Sequence, residues 1–326
     1  MNKTLYHVSM SPHLQAPTGV SRIMFGFIFA LMPALLAGVY YFGFPALIVI
    51  VLCAASALVT EMVVRRIMGR PDTIRDGNAL LIGLLLAAML PPGVPWWICI
   101  LGPAIAIILG KQLYGGLGNN PFNPAVVGWV VLRVSYPDHM QTYFSPEKIW
   151  GGLVHGWQIV SVPLTLIRED VSEVGAYTLG QLFWGNQPGA IGEVFIAGLI
   201  AGGIYLLAKR YITWHTPVSF IATAWIIGLI FNLVDPEVYA PPTFHLLTGG
   251  IFLGAIFLAT DRAGTAPVTS AGKIMFGIGC GLMTMIVRYW GGYTDGVPFA
   301  ILIMNAFVPI FDRVRPKVYG RVTESA

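Results

Sequence analysis

Five carboxylates sit at the ends of apolar runs: Glu61, Asp76, Glu193, Asp261 and Asp312. A charge at bilayer depth is costly, and where it persists it marks a path for ions or protons. Taken singly, each acid also has a plainer reading. Asp76 and Asp261 can cap helices or pair with the adjacent Arg75 and Arg262. Asp261 stands apart because it opens a polar stretch, DRAGTAPVTSAGK, between two apolar runs. Thr265, Thr269 and Ser270 give that stretch hydroxyls that can cradle a polar ligand, or it is only a turn. Asp76 and Asp261 are the expected ion path, and Thr269 and Ser270 are expected cofactor contacts.

A second polar stretch, GKQLYGGLGNNPFNP at 110–124, lies between two other apolar runs. Gly115, Gly116 and Gly118 permit positive φ, and Asn119 and Asn120 tolerate it. Pro121 and Pro124 each remove a backbone donor. Lipid cannot satisfy the peptide groups of such a segment, so it must be buried in protein or line a polar cavity. Two readings fit: a hairpin between helices, or a broken-helix region on a cofactor or ion path. Composition alone favours the hairpin. Asn120 and Asn123 are the cofactor contacts expected under the second reading.

The chemistry of soluble enzymes has no foothold here. The chain has no phosphate-binding P-loop, HExxH or zinc cluster. His155, His215 and His245 stand alone and read as structural or interfacial residues. Cys53, Cys99 and Cys280 lie in apolar runs without ligand spacing and read as core filler.

The elements that position these residues are apolar helices. Of 326 residues, 56% are hydrophobic and 10% charged, against about 25% charged in an ordinary soluble domain. The mean hydropathy is +0.73, which makes the chain a polytopic membrane protein. Nine Trp and 13 Tyr are enough for interfacial belts. The first apolar run starts after a polar tail and is long enough to span, unlike a cleaved signal peptide. The net charge of +4 is spread over short loops and gives no sign of nucleic-acid binding.

The expected fold is an all-α polytopic membrane protein with about ten transmembrane helices. Spans are expected near 22–43, 45–64, 78–91, 95–110 and 123–136, then 192–209, 216–234, 244–260, 273–290 and 296–312. The domains follow: a cytoplasmic tail at 1–21, a first five-helix repeat at 22–136, an external segment at 137–191, a second repeat at 192–312, and a cytoplasmic tail at 313–326. Loop charge orients them. Arg65, Arg66, Arg70, Arg75, Lys111, Lys209, Arg210, Arg262 and Lys273 share one side with the six basic residues of the tails. Only Arg133, Lys148, Arg168 and Arg288 fall on the other side, together with most of the acids. The basic side is cytoplasmic by the positive-inside rule. Tyr114-Gly115-Gly116 followed by Pro121-Phe122 echoes Trp290-Gly291-Gly292 followed by Pro298-Phe299. Five spans per half would invert one repeat relative to the other and place a binding region between them. The match is short, and chance similarity of Gly-aromatic hairpins explains it equally.

Four collinear blocks carry a family resemblance: DGNALLIGLLLAAMLPP, LYGGLGNNPFNPAVVGWVVL, WGNQPGAIGE running on to KRYITWHTPVSF, and RYWGGYTDGVPFAILIMNAFVPIFDR. They resemble the D subunit of the Rnf electron-transport complex, a relative of the B subunit of the sodium-translocating NADH:quinone reductase. The resemblance implies an integral subunit of a bacterial inner-membrane redox pump that couples electron transfer between ferredoxin and NAD to Na+ or H+ movement. It implies partners as well: the other membrane and peripheral subunits, including flavin and iron–sulfur proteins.

It also implies FMN, joined by a phosphoester to a Thr in an external Ser-Gly-Ala-Thr-Pro-Leu pattern. Here the stretch reads Ile159-Val160-Ser161-Val162-Pro163-Leu164, and Val162 has no hydroxyl to esterify. Ser161 or Thr165 takes over, FMN binds without a covalent bond, or the subunit is a flavin-free scaffold. A second departure is Asp261-Arg262-Ala263-Gly264-Thr265, where the family more often has Asp-Pro-Val-Thr-Ser. Pro267-Val268-Thr269-Ser270 restores that wording after an insertion. A stand-alone secondary transporter is the rival outside this family.

Overall fold

The computed structural model describes residues 19–71, 73–146, 157–169, 175, 177–261 and 265–313. His155, the Arg262-Ala263-Gly264 stretch and most of both expected tails lie outside the described residues. Among the described residues the protein is all-helical, apart from one isolated antiparallel bridge between Phe144 and Ile159.

The first helix, α1 (Val20–Ile67), doubles back at Gly43, whose φ of 64° and ψ of −142° break the helical path. Only glycine takes that conformation readily. Pro45, in the first turn after the break, has no donor to lose there. The fold-back brings both ends of α1 to one end of the bundle, the Lys111 end. There Ser21 Oγ donates to Arg75 O at 3.1 Å, and Glu61 near the far end of α1 accepts from Thr73 Oγ1 at 2.7 Å.

Helix α2 (Asn78–Met89) is apolar all round, and every residue but Leu80 is buried. Twelve residues reach about 18 Å, short of a hydrocarbon core of about 30 Å. Pro91 and Pro92 stop it, and its last carbonyls are satisfied from elsewhere. Gly192 N donates to Ala88 O at 2.8 Å and Ile191 N to Leu90 O at 3.1 Å. Trp129 Nε1 donates to Met89 O at 3.0 Å. The non-helical 185–195 segment is therefore buried against the open end of α2, where Ile191 and Val194 are fully enclosed.

Helix α3 (Trp96–Ile105) runs on as a π-helix, Ala106–Gln112. Asn123 caps α4 (Pro124–Ser135), accepting from Ala125 N and Val126 N. Two short helices, α5 (Pro163–Glu169) and α6 (Leu179–Trp184), precede the inserted segment. Helices α7 (Ile196–Ala208) and α8 (His215–Val234) follow. The bundle closes with α11 (Ser270–Trp290) and α12 (Val297–Phe311). Gly277 and Gly281 of α11 lie against the backbone of α8 at Thr216 and Phe220, the close approach that small residues allow.

The run expected as a single span at 244–260 is broken. It forms α9 (Pro242–Leu247), a turn at Thr248-Gly249-Gly250, then α10 (Ile251–Leu253) and a π-helix, Gly254–Leu258. The interior side chains of Arg288 and Asp295 bond to the peptide groups freed by the break, so irregular backbone is tolerated here.

Among the described residues, three helices are long and apolar enough to cross a membrane: Val20–Ile67, His215–Val234 and Ser270–Trp290. Five shorter apolar helices pack with them. Phe29, Ile67, Leu233 and Val234 are among many large apolar side chains left facing outward. An apolar surface that extensive belongs in a bilayer, and the chain is a membrane protein.

Candidate functional site

At the Lys111 end, Glu61 comes from the last turns of α1 and Lys111 from the π-helix after α3. Lys111 Nζ lies 2.9 Å from Glu61 Oε1, with side chains 1% and 0% exposed. Thr73 Oγ1 donates to the same oxygen, and Arg65 Nη1 stands 4.0 Å away. Glu61 Oε2 has no hydrogen-bond partner among the described residues. Bulges of π type inside α-helices recur at functional sites. Here the first π-helix carries Lys111 into the interior, and the second carries Phe257.

Lys111 is also one wall of a small cavity of about 20 Å³, room for about one water, with Met24, Phe27, Asn78, Asn120, Phe257 and Asp261 around it. The unpaired polar atoms on its walls are both acceptor oxygens, Asn78 Oδ1 and Asn120 Oδ1. The amide nitrogens of both residues are used: Asn78 Nδ2 meets Met24 Sδ, and Asn120 Nδ2 donates to Phe122 O at 3.2 Å. A buried acceptor without a donor costs about 1–3 kcal/mol. The cavity therefore suits a ligand bearing N–H groups, or a cation.

The structure brings Asn120 and Asp261 together at this cavity and places the other expected residues elsewhere. Asp76 sits in a one-turn 3-10 helix, where its Oδ1 accepts from Asn78 N at 2.8 Å and so sets the start of α2. Asn123 uses its oxygen to cap α4 and its Nδ2 to reach Leu258 O at 3.1 Å. With its amide turned to suit both neighbours, Asn305 accepts from Asn123 N at 3.1 Å and donates to Thr265 O at 3.1 Å. Thr269 caps α11 through Gly272 N at 3.0 Å, and Ser270 is exposed at the first turn. Ser161 is exposed, and Thr165 is half-buried on α5. Asn123 therefore ties two halves of the chain. Asn123→Ala is expected to lower stability by about 2 kcal/mol, through the lost cap and the orphaned Leu258 carbonyl. Thermal unfolding in detergent measures it.

Two residues emerge that sequence reasoning did not single out as a pair. Glu61 stands among the helix-end acids, and Lys111 in the tally of loop charges, yet each completes the other in the interior. No local signal pairs them: Lys111 lies between a glycine and a turn, and Glu61 stands one turn before Arg65 and Arg66.

The opposite end holds a second polar group. Arg288 is 3% exposed. Its Nη2 donates to Thr248 O and to Asp295 Oδ1, both at 3.0 Å, and its Nη1 donates to His245 O. Asp295 Oδ2 accepts from Gly250 N at 2.8 Å. A side chain at Gly250 would run into the Glu193 and Asp295 carboxylates. Both acids line a small cavity of about 30 Å³ together with Tyr143, Val162 and Gln187. Burial holds the Tyr143 phenol above its ordinary range, with the Glu193 and Asp295 charges adding and Arg133 opposing. Tyr143 is thus a neutral hydroxyl among carboxylates. An esterified phosphate does not fit at Val162: the side chain offers no oxygen, and the walls beside it carry two acids.

Comparison with known proteins gives a consistent picture. The model of the NQR2, RnfD, RnfE family matches residues 7–320. The chain is 38% identical over 331 residues to the D subunit of the ion-translocating oxidoreductase complex of Stutzerimonas stutzeri, covering 93% of each chain. It is 36% identical over 348 residues to proteins of the same name from Cronobacter sakazakii and Escherichia coli K12, covering 97% of this chain and 99% of theirs.

Proposed function

Because the chain belongs to the NQR2, RnfD, RnfE family, we propose that it is a membrane subunit of a redox-driven pump coupling electron transfer between ferredoxin and NAD to Na+ or H+ translocation. The observation that carries its own part is the buried Glu61–Lys111 pair beside a cavity with two unpaired acceptor oxygens. A fixed carboxylate neutralised by a lysine gives a site whose charge responds to a cation or electron arriving nearby. In this reading ten spans form two inverted five-helix repeats in a bacterial inner membrane. Both termini and the Lys111 end face the cytoplasm, as the loop charges favour. The partners are the other membrane and peripheral subunits of the complex, flavin and iron–sulfur proteins among them.

The cavity at the Lys111 end has room for about one water, too little for a flavin ring, and suits a small cation or water beside Lys111, Asn78 and Asn120. FMN, where the complex binds it, would supply one- and two-electron chemistry. At the opposite end a covalent FMN would require Ser161 or Thr165 in place of Val162. A flavin-free scaffold in the same complex is the second reading, favoured by Val162. Ultraviolet fluorescence of the denatured chain separates the two at that end, because a covalent flavin glows on the gel.

The coupling is tested in proteoliposomes holding the whole complex. Asp261→Asn is expected to lower ions moved per electron about tenfold. Asp76→Asn is expected to lower it less, acting through the placement of Asn78. Wild-type coupling in both variants removes these acids from the path.

A further inference from the structure

A roomier cavity, of about 370 Å³, lies between the start of α8, the start of α11 and the end of α12. The two described above hold only about 20 and 30 Å³. Tyr211 on its wall lays its ring against Gly26, in the second turn of α1. The cavity is therefore at the Lys111 end of the bundle, where the loop cations gather.

Its walls are polar. Tyr211, Thr213, Thr216 and Thr260 bring hydroxyls, Lys273 an ammonium and Asp312 a carboxylate. The Thr260 hydroxyl is spent on Ile256 O. Asp312 Oδ1 accepts from Val268 N at 2.9 Å and from Thr269 N at 3.5 Å, so backbone donors already meet this carboxylate. Asp261, which follows Thr260, lines the cavity beside Lys111 instead. Lys209 and Arg210 directly precede Tyr211, Arg313 directly follows Asp312, and all three are exposed. Positive charge therefore prevails around the mouth.

The outward rim is apolar. Val268, a wall residue, is 80% exposed, and Trp214 is 55% exposed. From Trp214 the outward face continues to Val218 on α8, and on α12 Ile310 and Phe307 face outward in the same way. In a membrane protein such faces meet lipid, and an indole at a helix end sits at headgroup level. A cation-rich polar cavity that opens onto apolar faces suits a ligand with an anionic head and apolar tails. Neither a soluble anion nor plain hydrocarbon matches both parts.

We propose that this cavity holds the headgroup of an anionic phospholipid. The phosphodiester lies beside Lys273 and the Thr213 and Thr216 hydroxyls, and the acyl chains run along α8 and α12. The site stands apart from the redox reading above and needs only that the chain is a membrane protein.

A photoreactive phosphatidylglycerol, with its diazirine in the headgroup, tests this on the purified whole complex in detergent, the labelled peptides being mapped by mass spectrometry. The expected result is labelling within 211–216 or 266–273 that unlabelled phosphatidylglycerol removes and phosphatidylcholine and inorganic phosphate do not. Lys273→Gln is expected to lower that labelling about fivefold, the effect of one cation near a membrane surface. Thr213→Val removes a half-buried hydroxyl, keeps the shape, and is expected to lower it by less. Melting temperatures without added lipid check that the variants keep the fold; should Lys273→Gln melt lower, Thr213→Val alone decides. Labelling spread evenly over the helices, removed by phosphatidylcholine as well, or unchanged in the variants overturns the site. Removal by inorganic phosphate makes it a free-anion site and overturns the lipid. Because neither ion transport nor electron transfer is read, such a failure leaves the pump assignment standing.

Discussion

Lys111→Met is expected to destabilise the protein by about 3–5 kcal/mol, because it strands the Glu61 carboxylate without its closest partner. Glu61 is fully enclosed, and its remaining neighbours are the Thr73 hydroxyl, the Gln112 side chain and Arg65 at 4.0 Å. None of these replaces an ammonium at 2.9 Å. The melting temperature in detergent is expected to fall by on the order of 10 °C. The double change Glu61→Leu with Lys111→Met is expected to recover most of that loss, since a buried pair exchanged for apolar groups is often close to neutral. The same double variant separates folding from function. If the pair serves transport, the recovered protein folds and assembles yet moves few ions per electron. A double variant as unstable as the single one shows that packing, and not the stranded charge, sets the cost.

Arg288→Met is expected to be comparably severe, at about 3–5 kcal/mol. One guanidinium holds His245 O, Thr248 O and Asp295 across the gap between α9 and α10. Methionine fills similar volume and donates nothing. Two carbonyls of the broken helix lose their donor, and Asp295 keeps only the Gly250 and Val297 N–H groups. Limited proteolysis is expected to find the 248–250 turn newly accessible, with a fall in melting temperature. Asp295→Asn removes one partner and leaves the two carbonyl bonds, so its cost is expected to be less than half as large. Equal effects of the two changes mean that the ion pair, and not the carbonyl bridging, holds the break.

The sequence made part of this architecture legible. Apolar runs with charged ends announce membrane helices, and the Gly- and Asn-rich stretch at 115–120 announces irregular backbone, though its composition favours a plain hairpin and not the cavity that Asn120 lines. Asp261, conspicuous for opening a polar loop between two spans, lies on the same wall. Charge pairing across the fold was not legible. Lys111 follows a glycine and precedes a turn, the pattern of a loop cation, and nothing local reveals a carboxylate fifty positions earlier. Arg288 likewise precedes a Gly-aromatic turn and carries the same local pattern. The break in the 244–260 run was hidden because Thr248-Gly249-Gly250 is no more polar than many helix interiors. What breaks it is the positive φ at Gly249 together with the reach of a side chain from α11. Asn123 and Thr269 have the expected property, a side chain able to bond backbone, but that capacity is spent on helix ends.

The dependence of α2 on Ile191 and Gly192 has a consequence for how the protein is made. The helix leaves the ribosome about 100 residues before the peptide groups that complete its far end. At about 5–20 residues per second, that is an interval of roughly 5–20 s. During it, the newly inserted amino-terminal half carries bare carbonyls where water is scarce. A chaperone, a lipid headgroup or the insertion machinery must shelter them. A nascent chain stalled before position 191 should therefore be held by such a helper, and one stalled well past it should be released.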